Sequence, residues 1–218
     1  ELGRYYGCPR NELWVIYMDR SAVQRIGECP ELKRHFDKLA PIITSDSRPY
    51  GLHRARQERF FEGEKIVSLR KTSRPCFTYT SFPCYVSQTY FVLKPAAIDL
   101  KYLTAILNSR VVHFWLDRMG KKQGAALQVD KAPILQIPIP AAELADSPIG
   151  KELRRRVDEV LRLGAQSDSA LVGHEMESLQ RSRLALEGSI VRLVYDLYGL
   201  TADEVAVVEA STAASCTP

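Results

Sequence analysis

Residues 48–94 read RPYGLHRARQERFFEGEKIVSLRKTSRPCFTYTSFPCYVSQTYFVLK, and the stretch changes character at Arg74. Up to that point it carries Arg48, Arg54, Arg56, Arg59, Lys65, Arg70, Lys71 and Arg74 against Glu58, Glu62 and Glu64. Beyond it the chain turns aromatic and polar, with Phe77, Tyr79, Phe82, Tyr85, Tyr90 and Phe91. Residues 65–69 (KIVSL) and 90–93 (YFVL) have the β-branched and aromatic content of short buried strands. A basic, aromatic-interleaved loop between strands suits a protein that grips a polyanion. The same residues also fit a solvated charged face beside an ordinary sheet.

Outward from this stretch, residues 77–79 and 85–86 join 65–69 and 90–93 as strands of one antiparallel sheet. Turns at 73–75 and 81–83 carry the Ser and Pro that such turns use. Upstream, the apolar run 13–18 (LWVIYM) predicts another buried strand. Pro30 suits the first turn of a helix over 30–39, because its missing N–H would be unpaired there. Leu32, Phe36 and Leu39 form the helix's apolar face, and Pro41 ends it. Downstream, Asp99 predicts the N-cap of a helix running to about 119, with Leu100, Leu103, Ile106, Leu107, Val111, Phe114 and Trp115 at helical spacing.

Residues 120–124 (GKKQG) read as a loop, and 127–129 and 134–139 as extended segments punctuated by Pro133, Pro138 and Pro140. From 149 the pattern becomes helical and charged. Helices over 151–163 and 171–198 form a hairpin across a turn at 164–169. Gly199 fits the C-cap of the second helix. Thr201 with Glu204 makes a capping box for a short helix through Val208. The division expected is 1–148, 149–209, and a small, polar, disordered tail over 210–218.

The chain has 218 residues, 45% hydrophobic and 26% charged, which can bury a sizeable core. Its formal charge of +4 is mild, so clustering says more than the sum. No apolar run approaches the ~20 residues that span a membrane. The first residues hold no apolar signal-peptide core and no initiator Met, which predicts an excised piece of a longer cytoplasmic protein. Five cysteines without C-x-x-C spacing, beside His35, His53, His113 and His174, predict reduced thiols and no zinc site.

Several chemistries lack their motifs. No Gly-rich strand-to-helix turn or P-loop is present. The two asparagines, Asn11 and Asn108, do not precede proline, so an Asn-Pro-Pro-Tyr loop is missing. The fragments Glu31-Leu32-Lys33 and Asp99-Leu100-Lys101 resemble part of a metal-nuclease set but have no placed partner acid. His113 on an apolar helix face reads as packing.

A set of segments in order resembles the TaqI-like C-terminal specificity domain, the target-recognition domain of bacterial adenine-N6 DNA methyltransferases and of fused Eco57I-type restriction–modification enzymes. They are Trp14-Val15-Ile16-Tyr17, Leu52-His53-Arg54-Ala55-Arg56, Glu64-Lys65-Ile66-Val67 through Arg70-Lys71-Thr72, and Gln88-Thr89-Tyr90. Leu100-Lys101-Tyr102-Leu103-Thr104-Ala105-Ile106-Leu107-Asn108-Ser109 follows, then Gly120-Lys121-Lys122-Gln123-Gly124 and Gln136-Ile137-Pro138-Ile139-Pro140. Val194-Tyr195-Asp196-Leu197-Tyr198-Gly199-Leu200-Thr201 closes a resemblance that runs from about 3 to 209.

The resemblance implies an α+β fold: a small antiparallel or mixed β-sheet with packed helices and a C-terminal helical hairpin. It implies double-stranded DNA as partner, with an upstream methyltransferase domain of the same polypeptide binding S-adenosylmethionine. Where the parent also cuts DNA, a nuclease domain with Mg joins it. This fragment would then be no enzyme and hold no cofactor itself.

Under that reading Arg54, Arg56 and Arg59 are phosphate candidates, unless they pair with Glu58, Glu62 or Glu64. Lys121 and Lys122 join them on a Gly-framed loop. Arg70, Lys71, Thr72, Ser73, Arg74 and Gln123 are candidates for reading bases, the plain alternative being a solvated turn and a polar helix end. Tyr79, Phe82 and Tyr85 either stack beside a base or fill the core. A second function class remains open: an assembly module whose working surface is the helical hairpin.

Overall fold

The computed structural model describes residues 2–10, 13–43, 49–52, 55–123, 126–169 and 173–213, with backbone alone at 122, 123, 126 and 142. In chain order the strands and helices are β1 (Tyr5–Tyr6), α1 (Arg20–Gln24), α2 (Pro30–Leu39), β2 (Lys65–Leu69), β3 (Lys71–Thr72), β4 (Phe77–Thr80), β5 (Tyr90–Leu93), α3 (Leu100–Leu107), α4 (Arg110–Met119), β6 (Lys121–Gln123), β7 (Ala126–Gln128), α5 (Lys131–Leu135), α6 (Pro148–Ser167), α7 (Gly173–Tyr198) and α8 (Ala202–Ala213). The fold is α+β. Two compact units divide it: Arg10–Phe61, and Glu1–Pro9 with Glu62–Pro218.

In the smaller unit, Pro30 opens α2 at the position its chemistry suits, and Leu32, Phe36 and Leu39 are its half-buried face. Asp19 caps α1 by accepting the Ala22 N–H at 2.8 Å. The strand expected over 13–18 is not formed. Trp14 is 92% exposed, and only Met18 is buried. This unit has two α-helices, short 3-10 turns and no strand among its described residues, so the apolar run finds no ladder to join.

In the larger unit a four-stranded sheet has the order β1–β4–β2–β5. β4 and β5 pair antiparallel with opposite edges of β2, and β1 adds to β4 in parallel. The segment between β4 and β5 must therefore cross β2, and the strand expected at 85–86 does not form. Lys65 pins that crossing. Its side chain lies wholly buried and donates to the carbonyls of Phe82 at 2.6 Å and Gly63 at 3.1 Å. Burial lowers its pKa, and the two carbonyls supply hydrogen-bond acceptors that its ammonium would otherwise have found in water.

The helix expected from Asp99 to about 119 is two helices. Asp99 caps α3 by accepting the Tyr102 N–H at 2.8 Å. The break falls at Asn108, which is 1% exposed. Its Nδ2 donates to the Phe77 carbonyl at 2.7 Å, and its Oδ1 accepts the Phe77 N–H at 3.0 Å. β1 pairs with β4 only from Thr78 onward, so this amide stands in for one more strand residue. Ser109 then caps α4.

Every residue from Tyr102 to Leu107 is buried, and α6 packs on both α3 and α7. Leu153, Val157, Val160 and Leu163 of α6 share one core with Ile66, Phe77, Ile106, Ile190 and Val194. Each such side chain contributes about 1.5–3 kcal/mol by burial.

Other expectations shift at their ends. The extended segment 134–139 begins as α5, where Pro133 is tolerated in the first turn. The turn expected at 164–169 is mostly helix, since α6 runs to Ser167. A Cβ on Gly164 would lie 2.4 Å from Cγ of Tyr6, so the glycine sits in the helix for close packing. Gly199 ends α7 with φ 65°, and Thr201 and Glu204 form the expected capping box at 2.8–3.4 Å. α8 continues past Val208 to Ala213, into the expected tail; 214–218 lie outside the described residues.

Replacing Asn108 with Ala leaves a buried N–H and C=O of Phe77 unpaired, at about 1–3 kcal/mol each. Urea unfolding of N108A is expected to show a loss of about 2–5 kcal/mol. N108D, which keeps the acceptor but not the donor, should also be destabilised.

Candidate nucleic-acid interface

Within the turn and the loop expected here, Lys71–Thr72 and Lys121–Gln123 are strands of one sheet. β3, β7 and β6 lie in that order, with β7 in the middle and both pairings antiparallel. Residues 121–123 are therefore not a loop but half of a hairpin, whose turn at 124 and 125 lies outside the described residues. Gly120 opens it by close packing: a Cβ there would stand 2.4 Å from the Leu116 carbonyl.

The register sorts the side chains. Lys71 and Lys121 both pair with Gln128, one from each side. Thr72 and Lys122 both pair with Leu127, and Gln123 pairs with Ala126. Directly paired residues share a face, and successive residues alternate. Leu127 is buried in the core, so the row Lys71–Gln128–Lys121 occupies the other face. Both lysines on it are exposed, about 10 Å apart across two strand spacings.

Asp130 organises this face. Its carboxylate accepts the Gln128 amide at 3.0 and 3.1 Å and meets the Arg70 guanidinium at 3.4 Å. Arg70 also lies over the Phe91 ring at 4.9 Å. Its backbone N–H donates to Thr89 and its carbonyl accepts from Val129, both near 2.9 Å, which joins the two sheets at one residue. Thr72 Oγ1 donates to the Arg74 carbonyl at 2.6 Å, shaping the turn that leaves Ser73 and Arg74 exposed.

The structure thus brings Arg70, Lys71 and Thr72 together with Lys121, Lys122 and Gln123, and sets Ser73 and Arg74 in the adjoining turn. Arg56 and Arg59 belong to the smaller unit. The Arg56 carbonyl accepts from Tyr17 Oη at 2.7 Å, and the Arg59 guanidinium stacks on Phe60 at 5.3 Å. Arg54 lies outside the described residues. Tyr79 is a core residue, 9% exposed, whose hydroxyl donates to Glu64; burial and that carboxylate push its pKa up. Phe82 and Tyr85 are half-buried.

Two contributors went unread in the sequence, Gln128 and Asp130. Their signal is alternation, since Leu127 and Val129 are buried while Gln128 and Asp130 are not. Of the carboxylate-x-lysine fragments, Glu31 is exposed and paired with Arg34, while Asp99 is committed to its cap and Lys101 to Asp158 at 2.6 Å. Among the described residues no three His, Cys, Asp or Glu side chains are grouped to hold a metal, and no helix is long and apolar enough to cross a membrane.

The α+β scaffold presents Lys71, Gln128 and Lys121 in one row across the small sheet. Residues 36–139 match the TaqI-like C-terminal specificity domain. The match contains β2 to α5, hence the whole three-stranded sheet; it is narrower than the resemblance over 3–209. No curated protein matches the chain.

Arg70 and Lys71 are adjacent but differ in what they hold. R70A is expected to lower stability by about 1 kcal/mol, through the lost ring stacking and Asp130 contact. K71A, at an exposed strand position, should stay within about 0.5 kcal/mol of the parent. Paired urea titrations measure both.

Proposed function

We propose that this chain reads duplex DNA for an adenine-N6 methyltransferase. A catalytic domain elsewhere in the same polypeptide would bind S-adenosylmethionine, and the chain itself would transfer nothing. The observation that carries this reading is the exposed row Lys71–Gln128–Lys121, inside the stretch that matches a specificity domain. Lysines on an open face supply the salt-dependent phosphate attraction that dominates affinity. Amides and hydroxyls beside them supply the base contacts that carry sequence information.

Within this reading, Lys71 and Lys121 hold phosphates from the exposed row; Lys122, in register with Leu127, is not part of that row, and Arg54, Arg56 and Arg59 are further phosphate candidates in the smaller unit. Thr72, Ser73, Arg74 and Gln123 are the base-reading candidates. Arg70 is better suited to a positioning role, because Asp130, Phe91 and two backbone bonds engage it. Residues 1–148 form the reading part, and the helices over 149–209 set its placement against the catalytic domain. A parent that also cuts DNA would carry its nuclease and Mg in a further domain.

Gel shifts of the 218-residue chain with mixed duplexes at several salt concentrations test the reading. Binding that weakens steeply with salt is expected, and K71A/K121A should flatten the log–log slope by about two. Q123A should change preference among duplexes more than overall affinity. No binding to any duplex at low salt, or a slope untouched by the double substitution, would refute it.

A further inference from the structure

A cavity of about 220 Å³ opens beside the turn that follows β3, and its wall includes Arg4, Arg74, Arg110, His113, Glu187 and Gly188. Arg4 uses Nη1 on Glu187 at 2.6 Å and Nη2 on the Asn108 carbonyl, while its buried Nε has no hydrogen-bond partner. Arg74 makes no side-chain ion pair among the described residues and is exposed. Arg110 pairs with Glu209 at 2.6 Å, and Arg183 approaches Glu187 at 3.5 Å. The wall itself holds three guanidinium groups, Arg4, Arg74 and Arg110, and one carboxylate, Glu187.

His113 is the more telling residue. It is 4% exposed, lies on the cavity wall, and has no ring hydrogen bond among the described residues. Burial, with Arg4, Arg110 and Arg74 near it, holds its pKa below the usual histidine value, against the opposing pull of Asp117. A neutral imidazole keeps one N–H to donate. Ser109 and Arg110 bring the positive end of α4 to the same wall.

We propose that this cavity is a phosphate-binding site, and that a backbone phosphate of the bound duplex fills it. An uncommitted arginine, an unpaired guanidinium nitrogen and a buried imidazole without a partner are the donors that a tetrahedral oxyanion takes. The DNA source rests on the functional reading above. It follows from continuity, because Arg74 stands two residues beyond Thr72 of the three-stranded sheet, in a turn fixed by the 2.6 Å bond from Thr72 to its carbonyl.

Histidine side-chain NMR of the whole chain tests this, titrating first with inorganic phosphate and then with duplex DNA. The His113 ring signals are expected to shift with both. R74Q should weaken the phosphate response. Gly188 offers a substitution that removes no contact, since a Cβ there meets nothing within 4 Å. G188D places a carboxylate at the wall, and G188N gives the steric effect alone. The aspartate is expected to bind phosphate at least about fivefold more weakly than the asparagine.

A duplex that binds without shifting His113, while inorganic phosphate does shift it, overturns the DNA source and leaves free phosphate as the ligand. A duplex that binds while neither ligand shifts His113 overturns the site and leaves the DNA reading intact. Phosphate shifts without any duplex binding support the site and refute the DNA reading. Equal phosphate affinity in G188D and G188N overturns the site.

Discussion

The paired hydrogen bonds between Asn108 and the backbone of Phe77 are the contact on which the larger unit depends. A side-chain amide presents one donor and one acceptor at nearly the spacing of a peptide group, so it can extend a ladder where a strand has ended. At this point β1 has run out and β4 needs a neighbour. The same residue ends α3 and lets Ser109 begin α4. Its own carbonyl accepts from Arg4, which in turn holds the buried Glu187 on α7. Sheet, helix break and C-terminal helix therefore meet through one asparagine. Any change of register between the sheet and the helices would leave several buried polar groups unpaired at once.

Local chemistry was legible in the sequence. Pro30, Asp99, Gly199 and the Thr201–Glu204 box act within one helical turn, and each stands where its own residue type dictates. The strands over 65–69 and 90–93 were legible for a similar reason, since their apolar runs are short and bounded. What stayed hidden depends on partners far along the chain. The break at Asn108 is invisible to periodicity, because the apolar spacing continues from Leu107 to Val111 and only Phe77, thirty-one positions earlier, explains the stop. The run 13–18 has the composition of a buried strand, yet composition cannot say whether an edge is available to receive it.

The candidate site divides the same way. Charge located the basic segments but could not rank the residues in them. Arg70 and Lys71 look alike in the sequence; one is engaged by Asp130, Phe91 and two backbone bonds, the other stands open on a strand. Gln128 and Asp130 carried no charge cluster and no motif, so only the alternation of 127–130 could have drawn attention to them.

β3 and β6 lie fifty positions apart in the chain and meet only through β7. That arrangement gives the face a property two free loops would lack. Pairing fixes the separation of Lys71 and Lys121, and the burial of Leu127 fixes which way the central strand points. A one-residue slip of β7 would carry Leu127 to the surface and Gln128 inward, losing core burial and the Asp130 contacts together. The register of this exposed face is thus enforced by the core beneath it, and its lysines need no contact of their own to be held in place. Under the proposed DNA-reading role, side chains free of structural bonds on a backbone held in register would suit discrimination between similar duplexes, because a flexible support would relax toward each in turn.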